Sequence, residues 1–569
     1  MKDTATLLLK KHWGYGSLRG TQQRAIESIM SGRDTMVIMP TGGGKSLCYQ
    51  LPALMCEGIV IVVSPLIALM EDQVKTLNRR GIKARYINST LSREKISQYL
   101  NEAIEGKLRL LYITPERIHT ESFSSAAEWL NVAFIAIDEA HCISMWGHDF
   151  RPSYREVATM REYFPQAPMM ALTATATPAV VNDIASSLGF EGRYEKIVQP
   201  FRRENLSYEV EFSHHKYNRL IELLTHCTGS AIVYCSSKNT IGELAVMLDK
   251  NGMSVTQYHA SLSTAVRQAA LNDWLTGKKK VMIATSAFGM GIDKADVRIV
   301  IHWHIPPTVE DYFQQAGRAG RDGLPARAIL LADEKAFSML EYTSSTAESA
   351  DELMALYTRL CNYMGVGYGD WPSTPARFSF DEFCNTYNTT DRNHTRILFS
   401  YLVRYGVIAF YGNERHSSRA MIKCSIDECY QMKENSYTRI LESLVRSSDG
   451  IFSYMVTIDV EKCAAGASMT VEEFCSQMER LKMMGIVDWE KEGSYSYLYY
   501  TRTRDDESIL SHLRYNVKLS ADIRHRGIEK IKEYIHTREC RARWIEAYFG
   551  MNEGIECCLC DNCLKTSER

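Results

Sequence analysis

The stretch MVIMPTGGGKS, residues 36–46, decides the fold. Four apolar residues, Met36 to Met39, run straight into Pro40-Thr41-Gly42-Gly43-Gly44-Lys45-Ser46. That is the pattern of a buried strand opening into a helix through a glycine-rich turn. The glycines let backbone N–H groups converge on phosphate oxygens, and the helix that follows offers its positive end. Lys45 adds a point charge and Ser46 a hydroxyl ligand for Mg2+. Met39 stands where the strict pattern begins with glycine. An ordinary glycine-rich strand-to-helix turn looks similar, so the reading needs a partner elsewhere in the chain.

Asp138-Glu139-Ala140-His141 supplies it, at the end of the apolar run Phe134 to Ile137. A carboxylate at the C-terminal end of a strand can hold Mg2+ while its neighbour orients or deprotonates a water. Asp138 is the expected metal ligand together with Ser46, and Glu139 the expected base. Further short apolar runs follow the same rhythm: Ile59 to Val63, Leu110 to Ile113 and Met169 to Leu172. After a polar connection near Gly189 to Asn205 the rhythm restarts with Ala231 to Tyr234, Val255 to Tyr258, Val281 to Ala284, Ile299 to His302 and Ala328 to Leu331. Strand runs alternating with helix-length stretches predict an α/β fold with two tandem parallel-sheet lobes, 1–200 and 205–340.

The second lobe carries Gln314-Gln315-Ala316-Gly317-Arg318-Ala319-Gly320-Arg321. Two arginines three apart lie on one helical face, and the small residues between them permit close approach to another surface. Such a pair suits an arginine finger reaching a phosphate across a cleft.

Composition sets limits. At roughly 100 to 200 residues per domain, 569 residues predict about three to five domains. Lys+Arg total 66 against Asp+Glu 68, so no global field attracts nucleic acid or an anionic membrane. The balance is segregated, however: residues 331–360 carry six acids and two bases, and residues 514–546 nine bases and five acids. No apolar run approaches the length that spans a bilayer, and MKDTATLLLKKHW has too short an apolar core for a secretory signal. The expectation is an intracellular, reducing setting with no membrane partner.

In order, GYGSLRGTQ, MPTGGGKS, SPLIALMEDQ, TPER, DEAHCISMWGHDFRP, LTATAT, TSAFGMGID and QAGRAGRDG resemble the superfamily 2 helicases, and specifically RecQ-type DNA helicases. The resemblance covers about residues 5 to 340 and resumes at Cys540 to Cys563. It implies two RecA-like lobes and ATP-dependent 3′ to 5′ movement on single-stranded DNA, with forked or junction DNA unwound in repair and recombination. Tyr15, Arg19 and Gln22 match the segment that grips adenine, and a Gln amide offers the donor and acceptor that favour ATP. Gly289, Gly291 and Asp293 match a loop that senses nucleotide. Trp146, His148, Phe150 and Arg151 match an aromatic and basic loop able to stack on bases or meet phosphates. Met145, Gln315 and Ser261 depart from the family's usual residues. The resemblance further implies a monomer, a cytoplasmic or nucleoid location in a bacterium, and a single-strand-binding protein or a topoisomerase as partner. An RNA helicase on the same motor and a DNA-binding scaffold with a silent motor are the competing readings.

Five of the sixteen cysteines, Cys540, Cys557, Cys558, Cys560 and Cys563, fall in the last thirty residues. Cys557-x2-Cys560-x2-Cys563 with Cys540 gives four thiolates for a tetrahedral site, and Cys558 competes with Cys557 as a ligand. An iron–sulfur cluster is the alternative, but no Cys-Pro follows, and the resemblance implies structural zinc. A helical zinc module is expected over 511–569. Between motor and module lies an atypical region, 345–510, where Phe399, Leu402, Gly406, Val407 and Ile408 match Met478, Leu481, Gly485, Ile486 and Val487 at an offset of 79. This predicts two winged-helix-like units, at about 375–425 and 436–503, with Tyr411, Tyr495, Tyr497 and Tyr499 as wing residues that take over duplex contact. The family's trailing domains are expected to be absent.

Overall fold

The computed structural model describes residues 2–88, 91–147, 150–190, 192, 194–289, 294–345, 349–372, 374–425, 428, 436–447, 450–491, 493–551 and 554–567. The chain divides into one unit of Met1–Ser349 with Arg514–Arg569 and another of Ala350–Leu513. After an N-terminal helix (Lys2–Trp13), the first contains helix α1 (Gly20–Met30) and a seven-stranded sheet of β1 (Thr35–Ile38), β2 (Ile59–Val63), β3 (Ala84–Ile87), β4 (Leu110–Ile113), β5 (Val132–Ile137), β6 (Met169–Thr173) and β7 (Glu195–Val198). Their order is β3-β4-β2-β5-β6-β1-β7, and every pair is parallel. A second sheet is built from β8 (Leu206–Phe212), β9 (Ser230–Tyr234), β10 (Val255–Tyr258), β11 (Val281–Ala284), β12 (Val297–His302) and β13 (Ala326–Ala332), with α2 (Val309–Ala316) between its last two strands. Its order is β10-β11-β9-β12-β13-β8, again parallel throughout.

The apolar runs became these strands because a sheet covered by helices on both faces needs side chains that are apolar in both directions. All five residues of β2 and all four of β4 are buried. Three strands lack such runs in the sequence: β3, β7 and β8. All three are sheet edges, where one side stays half exposed and polar residues alternate with apolar ones, as in LSYEVEF of β8.

The second unit contains β14 (Ala376–Phe378), α3 (Phe380–Thr386), α4 (Arg392–Arg404), β15 (Ile408–His416), β16 (Arg419–Ile422), α5 (Ser436–Ser447), β17 (Val456–Thr457), α6 (Val460–Gly466), α7 (Val471–Met483), β18 (Val487–Glu490) and β19 (Gly493–Tyr500). It holds two three-stranded sheets, β14-β19-β15 and β17-β16-β18. The offset of 79 relates α4 to α7, each a second helix of a helix-turn-helix followed by a strand. The two winged-helix-like units are nevertheless not laid end to end. β19, from the far end of the chain segment, pairs antiparallel with β15, and β18 pairs with β16. From Glu414↔Tyr495 through His416↔Gly493 and on to Arg419↔Glu490 and Ile422↔Val487 the register never slips. One long two-stranded ribbon therefore serves both units, and the inner one, 419–490, is carried within the wing of the outer one. Sequence periodicity sees each helix-then-strand but not which hairpin a returning strand closes.

Each nested unit has its own core. In the outer one, Phe399 of α4 lies 5.3 Å from Phe383, 5.4 Å from Phe378 and 5.9 Å from Phe410, ring centre to ring centre. In the inner one, Phe474, Met478, Leu481 and Trp489 are buried together. Tyr495, Tyr497 and Tyr499 alternate with the buried Leu498 and Tyr500, so they occupy the face of β19 away from the phenylalanine core. The side chain of Tyr411 lies outside the described residues.

From Arg514 onward the chain returns to the first unit through α8 (Asp506–His536), then α9 (Arg541–Tyr548) and α10 (Asp561–Ser567). Phe549 packs 5.1 Å from Phe201 and 5.3 Å from Phe313, and Tyr534 5.0 Å from Tyr312. This terminal module therefore buttresses α2.

Truncating Phe399 to Ala is expected to cost the outer winged unit about 3–5 kcal/mol through the cavity left among its phenylalanines. Hydrogen exchange should accelerate across 376–410 and 493–500 while the protection of both parallel sheets is retained.

Candidate nucleotide and nucleic-acid site

The order β5-β6-β1 decides the geometry of the cleft. It sets the turn after β1, the Asp138-Glu139 pair after β5 and Thr173 at the end of β6 side by side at the C-terminal edge of one sheet. In the turn, Gly44 has φ +83°, which a side chain rarely adopts, and a Cβ there would collide with Gln22 Nε2. Gln22 holds the loop in shape: its Nε2 donates to Gly43 O at 3.2 Å and Gly44 O at 3.3 Å, and its Oε1 accepts from Arg19 N at 3.0 Å. The amide expected to grip adenine thus contacts the phosphate loop in this structure, and Tyr15 is 57% exposed. Arg19 Nη1 donates to Gly42 O at 3.4 Å.

Asp138 is buried, and desolvation, reinforced by the charge of Glu139, pushes its carboxyl up to about 7 even though Lys45 pulls the other way. Its Oδ1 accepts from Glu139 N at 3.0 Å, and its carbonyl accepts from Tyr154 OH at 3.0 Å. Glu139 takes φ +48°, the left-handed conformation, at the start of a short turn. Its Oε2 lies 3.4 Å from His141 Nδ1, which is 3.0 Å from Thr173 Oγ1. The acids are thereby linked to the LTATAT segment, a connection that neither motif announces alone.

Opposite them, motif QAGRAGRDG comes so close that a Cβ at Gly317 would collide with Thr41 Oγ1. Arg321 lies over the phosphate loop, its Cγ 3.6 Å from where a Cβ of Gly42 would sit, and lines a cleft of about 250 Å3 between the lobes. Arg318 does not join it. It is 4% exposed and interacts with Tyr234 of its own sheet. Gln315 meets buried His302, its Oε1 3.0 Å from the ring Nε2. Burial pushes that imidazole down to about 3, so a neutral amide is the matching partner.

The polar connection between the lobes proves to be part of the site. Gln199, Arg202, Arg203 and Asn205 line the same cleft, and Arg203 donates to Gly317 O at 3.1 Å and to Gly320 O. Two adjacent arginines in a linker were the only hint of this in the sequence. In the aromatic loop, Trp146 is 38% exposed with the guanidinium of Arg526 from α8 4.5 Å from its ring. Phe150 is covered by Arg155, and Arg151 donates to Pro65 O at 2.9 Å. His148, Gly291 and Asp293 lie outside the described residues.

At the terminal module, the sulfurs of Cys540, Cys557, Cys560 and Cys563 all lie within 4.8 Å of one another. Cys557 N points to Cys540 Sγ at 3.2 Å, Cys560 N to Cys557 Sγ at 3.4 Å and Arg541 N to Cys560 Sγ at 3.5 Å. Cys558, the competing ligand, is exposed and outside the cluster. The buried guanidinium of Arg541 braces the site, with Nε and Nη2 on the Asp561 carboxylate and Nη1 donating to Tyr534 O at 2.8 Å.

Residues 19–184 match the DEAD/DEAH box helicase family, 215–323 the helicase conserved C-terminal domain, and 421–491 the RecQ helicase winged-helix domain of Bacteroidota. ATP-dependent DNA helicase RecQ of Haemophilus influenzae is 43% identical over 341 residues, 60% of this chain and 55% of that protein. The enzyme of the same name from Bacillus subtilis is 45% identical over 334 residues, 58% of this chain and 56% of its own. The chain thus spans about half the length of the curated relatives it matches. The crystal structure of DUF1998 helicase MrfA bound to DNA and AMPPNP aligns with a TM-score of 0.50 at 19% identity, over 61% of this chain and 52% of that one, a likeness of fold alone. The third family match falls on the inner of the two nested winged units. Through both motor lobes and that inner unit, the chain is similar in sequence to the RecQ-type helicases.

Proposed function

We propose that the chain is an ATP-driven helicase that moves 3′ to 5′ along single-stranded DNA and separates duplex ahead of it. One observation carries the reading: Thr41 and the glycine loop of one lobe meet Gly317 and Arg321 of the other across a single cleft, and the loop's Lys45 acts on the buried Asp138 of the Asp138-Glu139 pair on the same sheet. Residues Thr41 to Ser46 would cradle the phosphates, with Lys45 and Arg321 placing positive charge on them. Mg2+ would be held by Ser46 and Asp138, where it supplies charge to the phosphate oxygens. The donors suit it, because a buried Asp138 pushed to about 7 by desolvation and a neighbouring acid is a carboxyl short of positive charge. Glu139, its Oε2 buried and within reach of His141, takes the proton of the attacking water. Arg318, confined to its own lobe, supports the segment that delivers Arg321. A ligand gripped from both sides favours closed lobes and its products do not, which is how hydrolysis becomes motion.

Trp146, His148, Phe150 and Arg151 would receive the strand, and the four clustered cysteines would hold zinc in a closed structural site. The relatives named as DNA helicases and the nested winged units favour DNA as the track. The protein would act inside the cell, where DNA is free of membrane and thiols stay reduced.

Glu139→Gln and Lys45→Ala should each lower single-strand-stimulated ATP turnover by about a hundredfold or more. The Gln variant should still bind nucleotide, and unchanged turnover in either would remove the proposed site. Trp146→Ala should lose base stacking worth about 1–3 kcal/mol. It should raise the DNA concentration needed for half-maximal ATPase while leaving nucleotide affinity intact, and a variant stimulated like the parent would dismiss that role. Metal analysis of the purified protein should return about one zinc per chain. Iron, or no metal at all from a folded preparation, would overturn the assignment.

A further inference from the structure

The two nested winged units present second helices of opposite character. α4, RNHTRILFSYLVR, carries three arginines and no acid. α7, VEEFCSQMERLKM, carries three glutamates against one arginine and one lysine. In α4 the buried residues Thr395, Leu398, Phe399 and Leu402 leave Arg392, Asn393, Arg396 and Ser400 on the exposed side. The basic residues on that side are braced by the preceding helix. Arg392 donates from Nη1 to Asp381 at 3.1 Å and from Nη2 to Asn385 at 2.6 Å, and Arg396 lies 4.3 Å over the ring of Phe380. Exposed ion pairs of this kind are weak in water, so a phosphate can displace the carboxylate while the arginine keeps its orientation.

A helix-turn-helix whose second helix bears arginines and an asparagine at its N-terminal half has the shape and chemistry that enter a major groove. α7 has that shape with the wrong charge, and its Glu473 is engaged in capping, accepting from Thr470 N at 3.0 Å and Thr470 Oγ1 at 3.1 Å. A polyanion meets three carboxylates there.

We infer that the outer winged unit, through Arg392, Asn393 and Arg396 of α4, is the duplex-DNA-binding element of this chain, and that the inner unit is not. The inference rests on the reading of the chain as a DNA motor and extends it to an element outside both lobes and outside every matched family segment. It also separates two units that the shared ribbon makes look equivalent.

The test uses the full chain and a fluorescein-labelled blunt duplex, with affinity followed by anisotropy across a salt series. The double variant Arg392→Gln/Arg396→Gln should weaken duplex binding about tenfold and flatten the log–log salt dependence by roughly one unit for each phosphate left without its arginine. Arg396→Lys, which keeps the charge, should stay within about twofold of the parent. Arg480→Gln/Lys482→Gln on α7 should leave duplex affinity unchanged. Single-strand-stimulated ATPase should survive in all of them, and a parent chain without that activity would count against the motor reading and not against this one. Unchanged duplex affinity and salt slope in the α4 double variant would overturn the inference, as would an equal loss from the α7 pair.

Discussion

Burial of two adjacent carboxylates at the end of β5 is the constraint on which the rest of the site depends. Asp138 is not comfortable there: removal from water and repulsion by Glu139 both oppose its ionisation. The surrounding structure answers with directed polar groups. Lys45 faces Asp138, the Tyr154 hydroxyl fixes the carbonyl beneath it, and His141 connects Glu139 to Thr173 on the neighbouring strand. Because β6 lies between β5 and β1, Thr173 touches both sides, its Oγ1 3.0 Å from His141 Nδ1 and its carbonyl accepting from Met39 N at 3.0 Å. On the proposed reading, a site that concentrates like charge in low dielectric would be primed for a ligand whose cation relieves it, and nucleotide binding and lobe closure would be two aspects of one electrostatic balance.

The second lobe contributes less charge than its motif suggests and more mechanical support. Of the two arginines in QAGRAGRDG, only Arg321 faces the loop of the first lobe; Arg318 is internal. What holds the segment in place comes from elsewhere in the chain: Arg203 of the connection donates to two of its carbonyls, and the aromatic stack of Phe201, Phe313 and Phe549 ties α2 to the cysteine module. The C-terminal module that carries the cysteines, far from the cleft in sequence, thus packs through Phe549 against the helix that precedes Arg321.

Much of this was legible in the sequence, for identifiable reasons. Central strands such as IVIVV must be apolar on both faces, so they stand out as runs; edge strands such as LSYEVEF do not. The Asp138, Glu139, Lys45 and cysteine positions were readable because their chemistry fixes residue type and spacing together. Gln22 was readable as important but not in its partner, since an amide serves a loop carbonyl as well as a base edge. The partners of Arg203 and Thr173 were not legible, because their role exists only once distant segments meet. The nesting of the winged units was hidden for a related reason: local periodicity specifies a strand, and only the closed sheet specifies its neighbour.

That nesting bears on how the region assembles. His416 and Gly493 are direct partners on adjacent strands, yet the whole segment 417–492 separates them. Closing a loop of that length in a disordered chain costs about 2–3 kcal/mol more than closing an ordinary hairpin turn. If residues 419–490 fold first, their own paired strands β16 and β18 deliver both ends to within one strand spacing, and that entropic penalty disappears for the outer sheet. The inner unit then serves the outer one as a folded hairpin turn, so the order of folding runs from the inside outward. A defect in the inner core would delay the outer sheet without touching any residue in it.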